Sequence, residues 1–388
     1  MKIVMVHSYF PPKIDSIGNI VYNLAKSFSE DGHDVLVLTS QLPNKSSLKD
    51  TNLKVIHLNP LFKVANTPII PELPKALIEH LKGTDIVHTH LPTPFSSDIT
   101  MLTKRILSVP AVLTYHCDIV GYRPLEKLIA NFYTRTLSYA TLSLADRIVA
   151  LTKTYSEKSI FLRRFRSKIE IIPNGVDDKV FVPMSEKEKA RIKERLNIDS
   201  EKIILFVGLL DRFHAYKGLH YLIYSSKKVV TQFKSLKFIV VGDGELRPLY
   251  QQMCINLKVS DYFVFAGSVS REKLLLLYKI ADLFVLPSTT LAESFPLVLL
   301  EAMSSGLPII TTTIGALPEI VGYGKAAKLV RPRDIGELAE AILQLIANEE
   351  LAKELGKNAR RMVLERYSWR VVYQKYKSLF ERIIGGLA

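Results

Sequence analysis

Short apolar runs rich in Val, Ile and Leu alternate along the chain with longer stretches whose apolar residues recur every three to four positions. The first rhythm predicts strands buried on both faces and the second predicts amphipathic helices, so together they predict βα units around parallel sheets. In the first half the predicted strands are Ile3–Val6, Val35–Thr39, Lys54–His57, Ile86–His90, Ala111–Tyr115, Arg147–Leu151 and Glu170–Ile172. Helical patterns lie between them, among them Ile20–Ser29, which stops at Gly32, and Leu125–Leu144. The rhythm breaks at residues 173–186, where two prolines, an Asn-Gly turn and the start of a charge run mark a linker. A second series follows: Ile203–Val207, Phe238–Val241, Tyr262–Phe265, Leu283–Leu286, Ile309–Thr312 and Ala327–Leu329, then helical segments from Asp334 that end with Trp369–Ile384. The predicted fold class is α/β: two Rossmann-like domains, residues 1–175 and 176–366, with a terminal helical stretch at 367–388. In such a pair a ligand belongs at the C-terminal strand ends, in the cleft where the domains face one another.

Composition narrows the class. The 388 residues fit two domains, and 48% hydrophobic with 23% charged residues excludes bulk disorder. Cys117 and Cys254 lie far apart and form no CxxC, which argues against a disulfide framework or a zinc ribbon. No window approaches the roughly 18 consecutive apolar residues of a membrane span. The opening MKIVMVHSYFPPK lacks the charged leader and apolar run of a secretory signal, so a cytoplasmic location is expected.

The net charge of +14 points to an anionic partner: nucleic acid, a phosphorylated substrate or an acidic membrane surface. No RNP, helix-turn-helix or zinc pattern is present, so no specific nucleic acid is expected. A non-catalytic basic module that binds nucleic acid or membrane is the alternative from outside the enzymes. Lys153, Lys158, Arg163, Arg164, Arg166 and Lys168, interleaved with Ile160, Phe161 and Phe165, read either as an interfacial helix or as a solvated basic helix end. Tyr122, Phe132, Tyr133 and Tyr139 read mostly as core. With Arg123, Lys127 and Arg135 they also offer a basic-aromatic rim suited to lipid head groups, hence peripheral contact at the inner face of a membrane.

The most informative stretch is Pro287–Thr312, PSTTLAESFPLVLLEAMSSGLPIITT. A helix is expected to begin near Pro296, which suits a first turn, and to stop at Gly306. Glu293 then sits in the loop before the helix and Glu301 about one turn inside it. Free amides between them suit a diphosphate, and a carboxylate one turn in can accept hydrogen bonds from two vicinal hydroxyls, as on a ribose. Taken alone, the pair reads as a helix cap and a surface residue.

The surrounding residues change that reading. ESFPLVLLEAMSSGLPII resembles the E-x7-E signature of the retaining glycosyltransferases of family four, which have the GT-B fold. GHDVLVLTS, DIVHTH, LTYHCDIV, ADRIVALT and IIPNGVD in the first half, and ILFVGLLDR, YKG, VGDGELR, VFAGSVSREKLLLLYKIADLFVLPS and GALPEIVG in the second, agree with that family in order and spacing. The match spans nearly the whole chain. It implies a hexosyltransferase that uses a UDP- or GDP-sugar and an acceptor hydroxyl on a sugar, glycolipid or small molecule, in glycolipid, cell-surface glycan or polysaccharide synthesis. A soluble disaccharide or sugar-phosphate synthase is the alternative within the fold.

By the same resemblance Glu301 would bind the ribose, Glu293 would hold hydroxyls of the transferred sugar, and the amides of Leu297 and Val298 would meet the distal phosphate. Ser294, Phe295, Gly208 and Gly242 would line the donor site. Lys217 would neutralise the leaving diphosphate, with Arg212 as its partner because Leu209 stands where the family has arginine. His116 would lie over the reacting sugar, and Asp118 would orient His116 or the acceptor. The helix that closes the chain would cross back to the first domain.

Two departures stand out. Pro296 replaces the family's usual glycine and has no N–H to offer a sugar. The usual Gly-Gly loop falls on Asp15 and Ser16, with Gly18 two residues later, so Ser16 or Gly18 would approach the diphosphate and Asp15 would turn to acceptor hydroxyls. Gly242-Asp243-Gly244 lacks the third glycine of a dinucleotide loop, Arg247 standing there, which weakens a dehydrogenase reading. His88 and His90 form an H-x-H on one strand face but no third ligand is evident, so they read as structural. No D-x-D is present, and neither a metal nor a cofactor beyond the nucleotide-sugar co-substrate is expected.

Overall fold

The computed structural model describes residues 1–11, 16–40, 53–64, 67–119, 124–195 and 202–386. Two compact units emerge: residues 1–175 with 369–388, and residues 176–368. None of the described helices is long and apolar enough to cross a membrane.

In the first unit seven strands form one sheet: β1 (Lys2–Val6), β2 (Asp34–Ser40), β3 (Lys54–Leu58), β4 (Ile86–Leu91), β5 (Ala111–Tyr115), β6 (Arg147–Ala150) and β7 (Ile169–Ile171). All neighbours are parallel, in the order β3-β2-β1-β4-β5-β6-β7. β4 and β5 are buried at every position. Strands covered on both faces have no solvent side to alternate with, so polar residues such as His88, Thr89, His90 and Thr114 are buried in them too.

The helix Trp369–Ile384 belongs to this unit. Val372, Tyr373, Tyr376, Leu379, Phe380 and Ile383 recur on one helical face and enter the core with Ile3, Phe28 and Val37. Phe380 lies flat on Phe28 with ring centroids 5.1 Å apart, Tyr376 Oη is 3.0 Å from Thr114 Oγ1, and Lys377 Nζ is 2.6 Å from Asp31. Gly175 makes room for the returning chain, since a Cβ there would stand 2.5 Å from the Trp369 indole.

Two segments differ from the sequence expectation. The Leu125–Leu144 pattern is two helices, Pro124–Arg135 and Leu137–Leu144, broken at Thr136. The Thr136 hydroxyl donates back to Phe132 O at 2.6 Å, the local competition by which threonine disturbs a helix. Lys153–Lys168 is no continuous interfacial helix: a short helix (Lys153–Lys158) is followed by a 3-10 stretch (Leu162–Lys168). Phe165 is buried with its ring 5.3 Å from that of Tyr139, and Lys168 Nζ is bound by the carbonyls of Ser143 and Ala145. Phe132, expected in the core, is exposed; Tyr122 and Arg123 lie outside the described residues.

The second unit repeats the plan with β8 (Lys202–Val207), β9 (Leu236–Val241), β10 (Phe263–Gly267), β11 (Leu283–Leu286), β12 (Ile309–Thr312) and β13 (Lys328–Val330). They are again parallel, in the order β10-β9-β8-β11-β12-β13. In each unit the order reverses beside the first strand, between β1 and β4 and between β8 and β11. At such a reversal the two loops diverge to opposite sides and leave room for a ligand at the strand ends.

Candidate functional site

In the second unit the loops at the reversal are held by close backbone approach. Gly208 follows β8 and Gly242 follows β9; a Cβ on Gly242, whose φ is +128°, would lie 1.9 Å from Gly208 O. Only glycine fits there. A Cβ on Gly208 would stand 2.7 Å from Lys217 Cδ, so the bare backbone is the channel through which the lysine stem runs. Lys217 ends the 3-10 turn Arg212–Lys217, which Asp211 caps by accepting from His214 N at 2.8 Å. Thr289 N donates to Tyr216 O at 2.8 Å and so joins this turn to the loop after β11.

There the Lys217 ammonium meets Glu293, with Nζ 3.0 and 3.3 Å from its two carboxylate oxygens. Ser288 Oγ donates to the same carboxylate at 2.9 Å. The pair is buried, Lys217 at 9% exposure and Glu293 at 4%. An ammonium carries three N–H donors, so it can hold Glu293 and still donate to a phosphate oxygen.

Ser294 is half-buried, and Phe295 packs edge-on against Tyr367 with centroids 5.9 Å apart. Pro296 is the N-cap of the helix Leu297–Ser304, one position before the first turn, with extended backbone (φ −72°, ψ 116°). The amides of Leu297 and Val298 open that helix and have no partner within it, an arrangement that receives anions. Glu301 lies one turn in, its carboxylate accepting from Tyr278 Oη at 2.8 Å. Burial raises the Glu301 pKa above the ordinary carboxylate range, against the Tyr278 hydrogen bond and the charge of Arg271.

Arg212 is exposed, and its guanidinium lies 3.5 Å from the Glu245 carboxylate.

The first unit holds a second set. His116, directly after β5, is 5% exposed and its backbone N–H donates to Leu91 O at 2.8 Å. Its Nε2 lies 3.1 Å from His90 Nδ1. His88, two residues before His90 on β4, has Nε2 2.8 Å from Thr114 Oγ1. Burial pushes His88 down to about 3 and His90 well below the usual imidazole value, so both are neutral. Among the described residues no group of three or more His, Cys, Asp or Glu is arranged to hold a metal ion.

The Asp118 carboxylate accepts from Tyr115 Oη at 2.7 Å and Ser159 Oγ at 2.8 Å, and its backbone amide donates to Tyr155 Oη at 2.7 Å. Two hydroxyls supplied by neighbouring elements thus hold the carboxylate. Ser16 opens the helix Ser16–Glu30 and is exposed, Gly18 is buried two residues on, and Asp15 lies outside the described residues.

Three supporting side chains leave little or no signal in the sequence. Ser288 stands five residues before Glu293, a spacing that only the loop's curl turns into a contact. Tyr278 reaches Glu301 from another helix 23 residues upstream and has no local signature. His90 is visible, but only as half of an H-x-H.

Known glycosyltransferases resemble the chain over most of its length. Residues 188–362 match the family model of glycosyl transferases group 1, and residues 17–180 match that of glycosyltransferase family 4. An uncharacterised glycosyltransferase of Methanocaldococcus jannaschii is 29% identical, with 95% of both chains covered. The O-antigen chain mannosyltransferase C of Escherichia coli is 27% identical over 99% of both. A solved structure, Anabaena HepE in complex with UDP-glucose, has a TM-score of 0.77 at 19% identity and covers 98% of this chain and 99% of its own. At that identity the likeness is one of fold.

Proposed function

Because the chain belongs to the GT-B glycosyltransferases, its second unit matching group 1 and its first family 4, we propose that it moves a hexosyl group from a UDP- or GDP-sugar to an acceptor hydroxyl with retention of configuration. The reading rests on one observation: a buried cation, two carboxylates and a helix N-terminus share the strand-reversal point of the second unit. Glu301 takes the ribose hydroxyls, the amides of Leu297 and Val298 take the distal phosphate, and Glu293 takes hydroxyls of the sugar. Breaking the bond between the anomeric carbon and the phosphate oxygen places negative charge on the departing diphosphate. Lys217 neutralises it from a buried position where the charge is weakly screened.

The acceptor oxygen bonds to the anomeric carbon on the face from which the diphosphate leaves, and its proton passes to a phosphate oxygen. His116 orients the sugar. No general base of the protein and no metal is required.

The first test is calorimetric titration with UDP, GDP, ADP and NAD without divalent ions, on wild type, Glu301→Ala and Lys217→Ala. One nucleoside diphosphate is expected to bind, weakened about ten- to hundredfold by each substitution. Binding of none, or indifference to both changes, overturns the site. Inversion at the anomeric carbon of the product overturns retention.

We also propose peripheral contact with an acidic membrane. Leu128, Ile129 and Phe132 are exposed at neighbouring positions of the helix Pro124–Arg135, flanked by exposed Lys127 and Arg135. An apolar face edged by cations suits the boundary of anionic lipid. Co-sedimentation with anionic but not neutral vesicles, lost in Ile129→Ser/Phe132→Ser, is the expected result. Absence of vesicle binding together with transfer to a free sugar favours the soluble synthase.

A further inference from the structure

His7, directly after β1, His90, near the end of β4, and His116, directly after β5, are buried at the C-terminal ends of three adjacent strands, with buried His88 two residues earlier on β4. The role proposed above uses only His116. Between His90 and His116 the nitrogens are 3.1 Å apart, the centroids 5.3 Å and the planes tilted by 23°, so the rings meet edge to edge in one hydrogen bond rather than face to face. The bond has two possible directions. If His116 donates from Nε2, neutral His90 must carry its own proton on Nε2. That atom is sealed from solvent and has no hydrogen-bond partner among the described residues. A buried N–H left bare is rarer and costlier than a bare lone pair. The other direction places the proton of His90 on Nδ1, donates it to His116 Nε2, and leaves only a lone pair unmet.

We infer that His90 is a positioning residue, which donates from Nδ1 to His116 Nε2 and thereby holds His116 as the Nδ1-protonated tautomer. His116 then brings an N–H, not a basic nitrogen, to the reaction. It can orient an oxygen of the sugar but cannot take the acceptor's proton, which agrees with that proton leaving on the diphosphate. His90, neutral in its burial, carries a single proton, and the sealed Nε2 is what assigns that proton to Nδ1. The catalytic part of this inference rests on the role proposed above for His116; the tautomer does not.

Histidine-labelled protein without ligand tests it, through the long-range nitrogen–proton spectrum of the imidazoles, which needs no folded variant. His116 is expected to show a protonated Nδ1 and a bare Nε2. In His90→Leu that signature is lost and kcat falls about 10- to 100-fold with the donor KM little changed. His90→Asn returns an N–H near the old Nδ1 and is expected to recover most of both. A protonated Nε2 on wild-type His116, or a signature unmoved in His90→Leu, overturns the inference. So does full kcat in His90→Leu when His116→Ala is inactive. If the spectrum is as expected and His116→Ala keeps full activity, the tautomer is upheld and the role of His116 in catalysis is what fails.

Discussion

The ion pair between Lys217 and Glu293 permits a sharp test, because it is buried yet assigned to chemistry. Lys217→Met leaves the Glu293 carboxylate in its enclosed position with, among the described residues, only the Ser288 hydroxyl to satisfy it. Glu293→Gln leaves the ammonium facing an amide. Breaking a buried pair from one side costs about 3–5 kcal/mol, since the remaining charge is uncompensated. For a unit of this size that is roughly 6–20 °C in Tm. Lys217→Met/Glu293→Gln removes both charges and is expected to regain about 2–3 kcal/mol relative to the sum of the single losses. Tryptophan fluorescence is the wrong probe: the chain's one tryptophan, Trp369, lies in the other unit. Calorimetric unfolding needs no local reporter and reads the loss directly. All three variants are expected to lose transfer activity. Single variants that cost less than about 1 kcal/mol, or a double that is simply additive, would refute the buried-pair argument.

Other outcomes follow from neighbouring contacts. Gly208→Ala pushes on a flexible lysine stem, so donor affinity is expected to fall about tenfold with little change in Tm; Gly242→Ala drives a Cβ into a carbonyl at a positive φ and is expected to yield little folded protein. Calorimetry and expression yield separate the two. Glu301 binds its proton more tightly in the folded than in the unfolded chain, so ionising it costs stability at neutral pH. Glu301→Gln is therefore expected to raise Tm at pH 7 while weakening nucleotide binding, and the gain should vanish as pH falls below about 4, the unfolded carboxylate's value. A Tm lowered at pH 7 would show that the sign is wrong. Phe380→Ala removes a ring stacked on Phe28 in the core of the first unit, and about 3–5 kcal/mol of that unit's stability should go with it in the same unfolding scans.

Whatever depends on period and local chemistry is legible in the sequence by itself. Strands buried on both faces are mostly apolar, so both sheets show as short runs, and Trp369–Ile384 declares itself through six apolar positions on one face. Glu293 and Glu301 are legible through the helix start between them, with Glu293 in the loop before Pro296 and Glu301 one turn inside. The tertiary structure decided what depends on long-range contacts. Phe165 turns inward because Tyr139 waits for it, and Arg212 turns outward to Glu245, although in sequence each looks like its neighbours. Asp118 is held by Tyr115 and Ser159, Glu301 by Tyr278, and His116 by His90. A hydrogen bond is specific to a few tenths of an ångström, whereas residues far apart in sequence are placed by the whole packed unit. The chemistry-bearing residues are therefore legible as a pattern, and their partners only as a structure.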